Sequence, residues 1–415
     1  MTAARSRALY LDYAASTPVD PAVAQCVNDA LVSEEGVANP ASAHPAGRAA
    51  AARIEAARET LATAIGADAR EIIWTSGATE ADNLAVLGGA RMQRARGRGH
   101  RVVTVATEHD AVLAACERLA REGFAVTRLL PDSDGYLAPD ALAEVLGDDV
   151  ALVSVMSINN ETGVIQDGPA LGELAHASGA LMHVDAAQGM AEWPERLADR
   201  PVDLVSLSAH KWYGPPGVGA LWRRLEPRAR LEPVIIGGGQ ETGLRAGTPA
   251  LHQIVGMAEA FRLGSQRRAV DQAHIARLRE RLEQGLAGIG GLVRNGRRDG
   301  SARILNVSVA GVHGDALRTA LGGELTVSAG SACSSREGVP SHVLQAMGRP
   351  EALAAAALRI SLGRELSEVQ IDAAVAAMVR VIAQLRGPSP AWRHMQAGAS
   401  VAELYGMADE PVLVA

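Results

Sequence analysis

One lysine, Lys211, stands among the 40 basic residues of this 415-residue chain; the other 39 are arginines. Only an amine that can shed its proton forms an imine with a carbonyl, and a guanidinium cannot. Lys211 is therefore a candidate for Schiff-base chemistry; a surface lysine retained by chance is the alternative. Three cysteines, Cys26, Cys116 and Cys333, are candidate nucleophiles. Cys26 shares a helical stripe with Val23, Ala30 and Leu31, and Cys116 aligns with Val112 and Leu119, so both read as small core hydrophobes. Cys333 lies instead in Ser328-Ala329-Gly330-Ser331-Ala332-Cys333-Ser334-Ser335, a stretch too small and polar to pack a core. An exposed thiol there suits a nucleophile or a sulfur carrier open to persulfidation. A turn that merely contains a cysteine is the other reading. No two cysteines have the spacing of a metal or redox pair, which argues against a zinc site.

Further chemistry-bearing residues sit where apolar runs end. Trp74-Thr75-Ser76-Gly77-Ala78-Thr79-Glu80 closes a strand and opens a helix, so its free amides and the Thr79 hydroxyl form a natural phosphate cradle; a plain helix cap is the alternative. Asp185 ends the run Leu181-Met182-His183-Val184-Asp185. A buried carboxylate needs a partner, and a pyridinium N–H is one, kept protonated so that the ring accepts electrons; capping of the next helix is another. His109 and Asn160 follow predicted strands, where an imidazole can stack on a flat ring or move protons. Arg359 interrupts an apolar run, suited to a bidentate grip on a substrate carboxylate or to a structural ion pair.

The elements that must position these groups alternate in type. Apolar runs predict strands over Glu71–Thr75, Arg101–Ala106, Ala125–Leu129, Ala151–Ser157, Leu181–Asp185, Val202–Ser208 and Gly219–Trp222. Helical periodicity falls over Glu80–Ala95, Ala111–Glu122, Pro139–Leu146 and Pro169–Ser178. That alternation predicts an α/β fold, a mostly parallel sheet with helices on both faces and strand ends facing one crevice. Lys211 follows the last long apolar run and precedes Gly214-Pro215-Pro216-Gly217, a loop position typical of functional side chains. A helix over Leu251 to Leu286 connects to a second region that mixes short strands and helices, closed by an amphipathic helix over Glu365–Arg386. The tail after Gly387 is polar and surface-lying.

Length predicts two domains. The net charge of −7 argues against nucleic-acid affinity. Two basic runs, Arg91 to Arg101 and Arg223 to Arg230, read as a solvated helix end and a loop; a docking patch for an acidic partner is the alternative. Met1 to Ser16 has no signal-peptide hydrophobic region and no later run spans a bilayer, which predicts a cytoplasmic chain.

Taken together the motifs resemble the class V, fold-type-I pyridoxal-phosphate enzymes, and among them the cysteine desulfurases. The likeness runs from Tyr10-Leu11-Asp12-Tyr13-Ala14-Ala15-Ser16-Thr17 to Arg364. It includes Asn39-Pro40-Ala41-Ser42-Ala43-His44, Thr75 to Glu80, Asn159-Asn160-Glu161-Thr162-Gly163, Asp185-Ala186-Ala187-Gln188, Ser208-Ala209-His210-Lys211 and Gly237-Gly238-Gly239-Gln240-Glu241. The most specific match is Ser328 to Ser335, followed by Pro340-Ser341-His342-Val343-Leu344.

The resemblance implies a large domain with a mostly parallel seven-stranded sheet (21–262), and a smaller α+β C-terminal domain (263–387) carrying the Cys333 loop. An N-terminal segment (1–20) would pack with the small domain, ahead of a tail (388–415). Lys211 would hold pyridoxal 5′-phosphate as an imine, Asp185 would pair with the pyridinium nitrogen, Gln188 would reach the ring oxygen and His109 would stack over the ring. Ala78, Thr79, Ser208 and His210 would hold the phosphate, joined by Thr248 from the other subunit of a homodimer. Asn160 and Arg359 would position the carboxylate of L-cysteine. Cys333 would then take the substrate sulfur as a persulfide and pass it to an acceptor for iron–sulfur cluster assembly or for tRNA or cofactor thiolation. The tail from Ser389-Pro390-Ala391-Trp392 is similar to the segment that contacts the scaffold protein in housekeeping members. Two positions depart from the pattern: Thr242 stands where an arginine is usual, and Asp110 replaces a commonly basic residue. An aminotransferase needs no loop thiol, a selenocysteine lyase shares the residue set, and a non-catalytic sulfur-relay or scaffold protein would need only the thiol.

Overall fold

Two sheets and one paired strand couple organise the computed structural model, which describes residues 8–190, 196–225, 229–330 and 340–407. In chain order the strands are β1 (Leu9–Tyr10), β2 (Ile72–Thr75), β3 (Arg101–Val105), β4 (Ala125–Leu129), β5 (Val150–Met156), β6 (Leu181–Asp185), β7 (Leu204–Ser208), β8 (Gly219–Arg223), β9 (Leu292–Arg294), β10 (Ile304–Val309), β11 (Leu325–Thr326) and β12 (Ala357–Ser361). The seven-stranded sheet has the order β2-β8-β7-β6-β5-β3-β4. Pairs among β3 to β7 are parallel, and β8 alone runs antiparallel to both neighbours. All seven expected strands are there. The reason is burial on both faces, which demands continuous apolar runs: every residue of β5 is buried. Helices Pro45–Ile65 and Leu251–Leu286 contribute to the core on one face, and helix Asp110–Arg121 to the core on the other.

Helix Leu251–Leu286 threads two cores. Its first half packs Ile254, Met257 and Phe261 into the large-sheet cluster, and its second half sends Ile275, Leu278 and Leu282 into a separate one. That second core lies on the antiparallel sheet β12-β10-β9 and on β1, which pairs in parallel with β11.

Three expectations need correction. The helix expected over Glu80–Ala95 is α-helical over Ala78–Asn83, a π-turn over Leu84–Gly88, and α-helical again over Gly89–Ala95. All five residues of the π-turn are buried, so apolar periodicity has no polar side from which to register the extra residue. The first basic run is only partly solvated: Arg91 pairs with Glu122 at 2.6 Å, Arg101 with Asp149 at 2.8 Å, and Arg94 lies over the Phe124 ring. The second run is no loop at its start, because Arg223 ends β8 and Arg224 donates to the carbonyls of Val202 and Ala198. The tail does lie on the surface, but as helices Pro390–Gln396 and Val401–Tyr405, anchored by Val401 with Val293, Ala310 and Leu353.

A buried ion pair fixes the approach to the site. Arg58 donates through both terminal nitrogens, 2.8 Å each, to the Glu241 carboxylate, which also accepts the Trp74 amide at 2.9 Å. Glu241 and Thr242 hold left-handed φ values of 47° and 54°, an unfavourable conformation that these bonds secure. Thr242, the departure from the family pattern, is exposed. Glu241→Ala is expected to lower stability by about 2 kcal/mol, because it removes the buried partner of Arg58 and leaves the guanidinium only the more exposed Glu55 carboxylate and the Ile72 carbonyl; urea denaturation followed by tryptophan fluorescence measures it.

Candidate active site

A cavity of about 430 Å³ opens at the carboxyl ends of β5, β6 and β7, the usual ligand crevice of such a sheet. It gathers Ala78, Thr79, His109, Asn160, Asp185, Gln188, Ser208, His210, Lys211 and Arg359 from six separate stretches of chain. Thr248 is exposed and is not among its lining residues. Cys333 lies outside the described residues, but both ends of its segment are placed. Ser328 forms a bridge with Arg359, and the Ser341 hydroxyl donates to the buried Glu161 carboxylate. A Cβ on Gly330 would stand 2.7 Å from that same carboxylate, so any larger residue there makes the Glu161 side chain shift.

Lys211 follows β7 in a single 3₁₀ turn, Ala209–Lys211. Its amine donates to the carbonyls of Ala14 and Ala15 at 2.7 and 2.8 Å. Burial, followed by the nearby Arg359 charge, pushes its pKa down to about 8, with Asp185 and Asp12 opposing. Asp185 closes β6, and its Oδ1 accepts the Ala187 amide at 2.8 Å, so it caps a turn and faces the cavity at once. Burial raises its pKa, while His109, the Ala187 amide and Lys211 pull the other way.

His109 caps helix Asp110–Arg121 by accepting the Ala111 amide at Nδ1, 3.1 Å, which leaves the proton on Nε2. It therefore caps a helix and lines the cavity at once. Asp110, the other departure, is the first residue of that helix, where a carboxylate complements the positive helix end. His210 meets Ser16 at 3.2 Å, and burial, helped by the Lys211 charge, pushes its pKa down to about 4, so it is neutral at physiological pH. Helix Ala78–Asn83 has no side-chain cap, leaving its first-turn amides for a ligand. Gly77 before it holds a φ of 157°, and a Cβ there would project into open space. Gln188 donates to Ala14.

Arg359 forms a structural ion pair at the cavity wall. One terminal nitrogen binds Asp12 at 2.7 Å and the other the Asn160 carbonyl at 3.0 Å, while its buried Nε meets no partner among the described residues. Cys116 is fully buried, and burial pushes its thiol up to about 12, so it is no nucleophile. Cys26 is only half-buried at the edge of the core. Among the described residues no group of three His, Cys, Asp or Glu is placed to hold a metal ion, and no helix is long and apolar enough to cross a membrane.

Several working residues carry no local signal: the Ala14 and Ala15 carbonyls, and Asp12. Asp82 and Glu108, both completely buried beside Asp185, were also missed. Asp82 was open to notice, since it falls on the apolar stripe of Ala78, Ala85 and Val86.

A buried, readily deprotonated lysine facing a buried aspartate at the carboxyl edge of this sheet defines a fold-type-I pyridoxal-phosphate enzyme. Residues 9–374 match the Aminotransferase class-V family, and the chain belongs to it. It is 46% identical over 395 residues to the cysteine desulfurase IscS of Proteus mirabilis, covering 95% of this chain and 97% of that one. Among solved structures, a NifS-like protein superposes with a TM-score of 0.84 at 33% identity, covering 91% of this chain and all of that one. DndA from Streptomyces lividans superposes with a TM-score of 0.71 at 39% identity over 84% of this chain and 98% of that one.

Proposed function

We propose that this chain is a cysteine desulfurase that uses pyridoxal 5′-phosphate to transfer the sulfur of L-cysteine to Cys333, releasing L-alanine and leaving a persulfide. The observation that carries the reading is the Lys211 amine opposed to Asp185 in a cavity whose Arg359 wall is bridged to the Ser328 end of the Cys333 segment. The residues fit the cofactor. The volume suits a small cofactor, the uncapped helix and Ser208 offer phosphate donors, and Asp185 keeps one oxygen for a ring N–H.

When bound, the cofactor supplies an electron sink for charge at the substrate α-carbon. The chain supplies the rest. Lys211 holds the cofactor and, once freed, moves the proton at the α-carbon. Asp185 fixes the ring nitrogen as its protonated form, Gln188 reaches the ring oxygen, and His109 stacks over the ring. Ala78, Thr79, Ser208 and His210 hold the phosphate. Asn160 and Arg359 orient the substrate carboxylate, for which the Arg359 Nε is ready. Thr248 serves only if a second copy of the chain brings it to this cavity, so its role goes with a homodimer. We take the enzyme as cytoplasmic, with the sulfur passed to a scaffold for iron–sulfur clusters or to a thiolation acceptor. In this reading residues 21–262 and 263–387 form the two domains, the first and last segments flanking them.

Incubation of the cofactor-loaded protein with L-cysteine and a reductant is expected to release alanine and sulfide in equal amounts. A yellow, loaded protein that releases neither, with or without a sulfur acceptor, would refute the reading. A second outcome follows from Lys211. The neutral amine is the reactive form, so imine formation by the apoprotein should rise with pH and level off above about 8, not near the ordinary 10.5. Stopped-flow absorbance after mixing with pyridoxal 5′-phosphate reads that midpoint.

A further inference from the structure

Beside Asp185 lies a second carboxyl group that the roles above leave unused. Asp82 sits in the last turn before the Leu84–Gly88 π-turn, is completely buried, and lines the same cavity. Among the described residues no backbone amide and no cation bonds either of its oxygens, and the Ser206 hydroxyl is the one donor near them. π-turns inside helices mark functional positions more often than chance allows.

The groups that face Asp82 do not offer it a counter-charge. His183 Nε2 is 3.6 Å from Oδ1, but that ring is buried and bonded to Ser154 on one nitrogen and to Ser206 on the other. Burial pushes the His183 pKa down to about 3, so it stays neutral. Asp185 and Glu108 both repel an anion at Asp82, and the Ser206 hydroxyl alone favours one. Asp185 is better placed, since the Ala187 amide, His109 and Lys211 all favour its ionised form. Two buried carboxyl groups side by side cannot both be charged.

We propose that Asp82 is a further positioning residue: it holds the proton of the Asp82–Asp185 pair, so the pair keeps a single negative charge, and that charge resides on Asp185 where the cofactor ring nitrogen meets it. The proposal rests on the assignment of Asp185 to that nitrogen.

The test compares wild type, Asp82→Asn and Asp185→Asn as apoproteins. The infrared difference between wild type and Asp82→Asn at pH 7 is expected to show the C=O stretch of a protonated carboxylic acid. Asp82→Leu gives the same difference should the Asn variant not fold. Asp82→Asn, neutral and of equal size, is expected to bind pyridoxal 5′-phosphate within about twofold of wild type, with the same visible spectrum. Asp185→Asn should weaken binding about tenfold or more, as loss of a charged hydrogen bond does. It should also lower the pH at which the acid band vanishes by about one unit or more, since the neighbouring charge is gone.

Absence of the acid band, an unchanged midpoint in Asp185→Asn, or weakening in Asp82→Asn as large as in Asp185→Asn overturns the proposal. If Asp185→Asn binds the cofactor as wild type does, the assignment of Asp185 falls and the proposal with it. The infrared band, which needs no cofactor, tells the two failures apart.

Discussion

Lys211→Ala will lose the imine-linked visible absorbance and reduce alanine release from L-cysteine by at least about 10²–10⁴-fold, the share that proton transfer alone contributes. The expectation is this large because nothing in the chain can stand in. Lys211 is the only lysine, so no neighbouring amine can form the imine. The amine is also held in place by the Ala14 and Ala15 carbonyls, and its lowered pKa keeps a large neutral fraction near pH 8. Lys211→Arg is expected to do no better, because a guanidinium fills the position and forms bonds yet cannot lose its proton. Absorbance of the purified variants and alanine assay together measure the effect. Full activity in either variant would remove the lysine from the chemistry.

Cys333→Ser will separate the two halves of the reaction. Cofactor binding and the visible spectrum are expected to match wild type, while alanine release falls on the order of 10³-fold or more, as when a nucleophile is removed. A hydroxyl is too weak a nucleophile toward sulfur at neutral pH, where a thiol supplies some thiolate. Neither remaining cysteine lines the cavity, and Cys116 is buried with its thiol pushed up to about 12. Mass spectrometry of the wild-type protein after exposure to L-cysteine should find one added sulfur on Cys333. Added sulfur on Cys26 instead would reassign the carrier.

Much of the site was legible because its residues stand where regular patterns end. Asp185 closes an apolar run that has to be a strand, and Ser208 closes another just ahead of Lys211; burial on both faces of the sheet gave those runs their continuity. The lysine stood out by its rarity. What stayed hidden depends on contacts distant in sequence. The two carbonyls that hold Lys211 lie nearly 200 residues away and belong to alanines, so side-chain chemistry carries no trace of them. Asp12, the partner of Arg359, is 347 residues from it. Asp82 stayed hidden for another reason: a helix expected over Glu80–Ala95 from apolar periodicity gives no weight to one acidic residue within it, and the π-turn after Asp82 breaks the 3.6-residue period. The basic runs misled because composition counts charges and does not see the carboxylates that fold against them.

The short N-terminal strand has a mechanical meaning. β1 zips onto β11, which leads within a few residues into the segment that carries Cys333. Immediately downstream the same stretch presents the Ala14 and Ala15 carbonyls to Lys211, and Thr17 bonds the His210 carbonyl with both its amide and its hydroxyl. One strap of fewer than ten residues therefore joins the β1–β11 pair to the Lys211 amine. The β1–β11 pair and the Lys211 amine are in this sense moored by one continuous piece of chain.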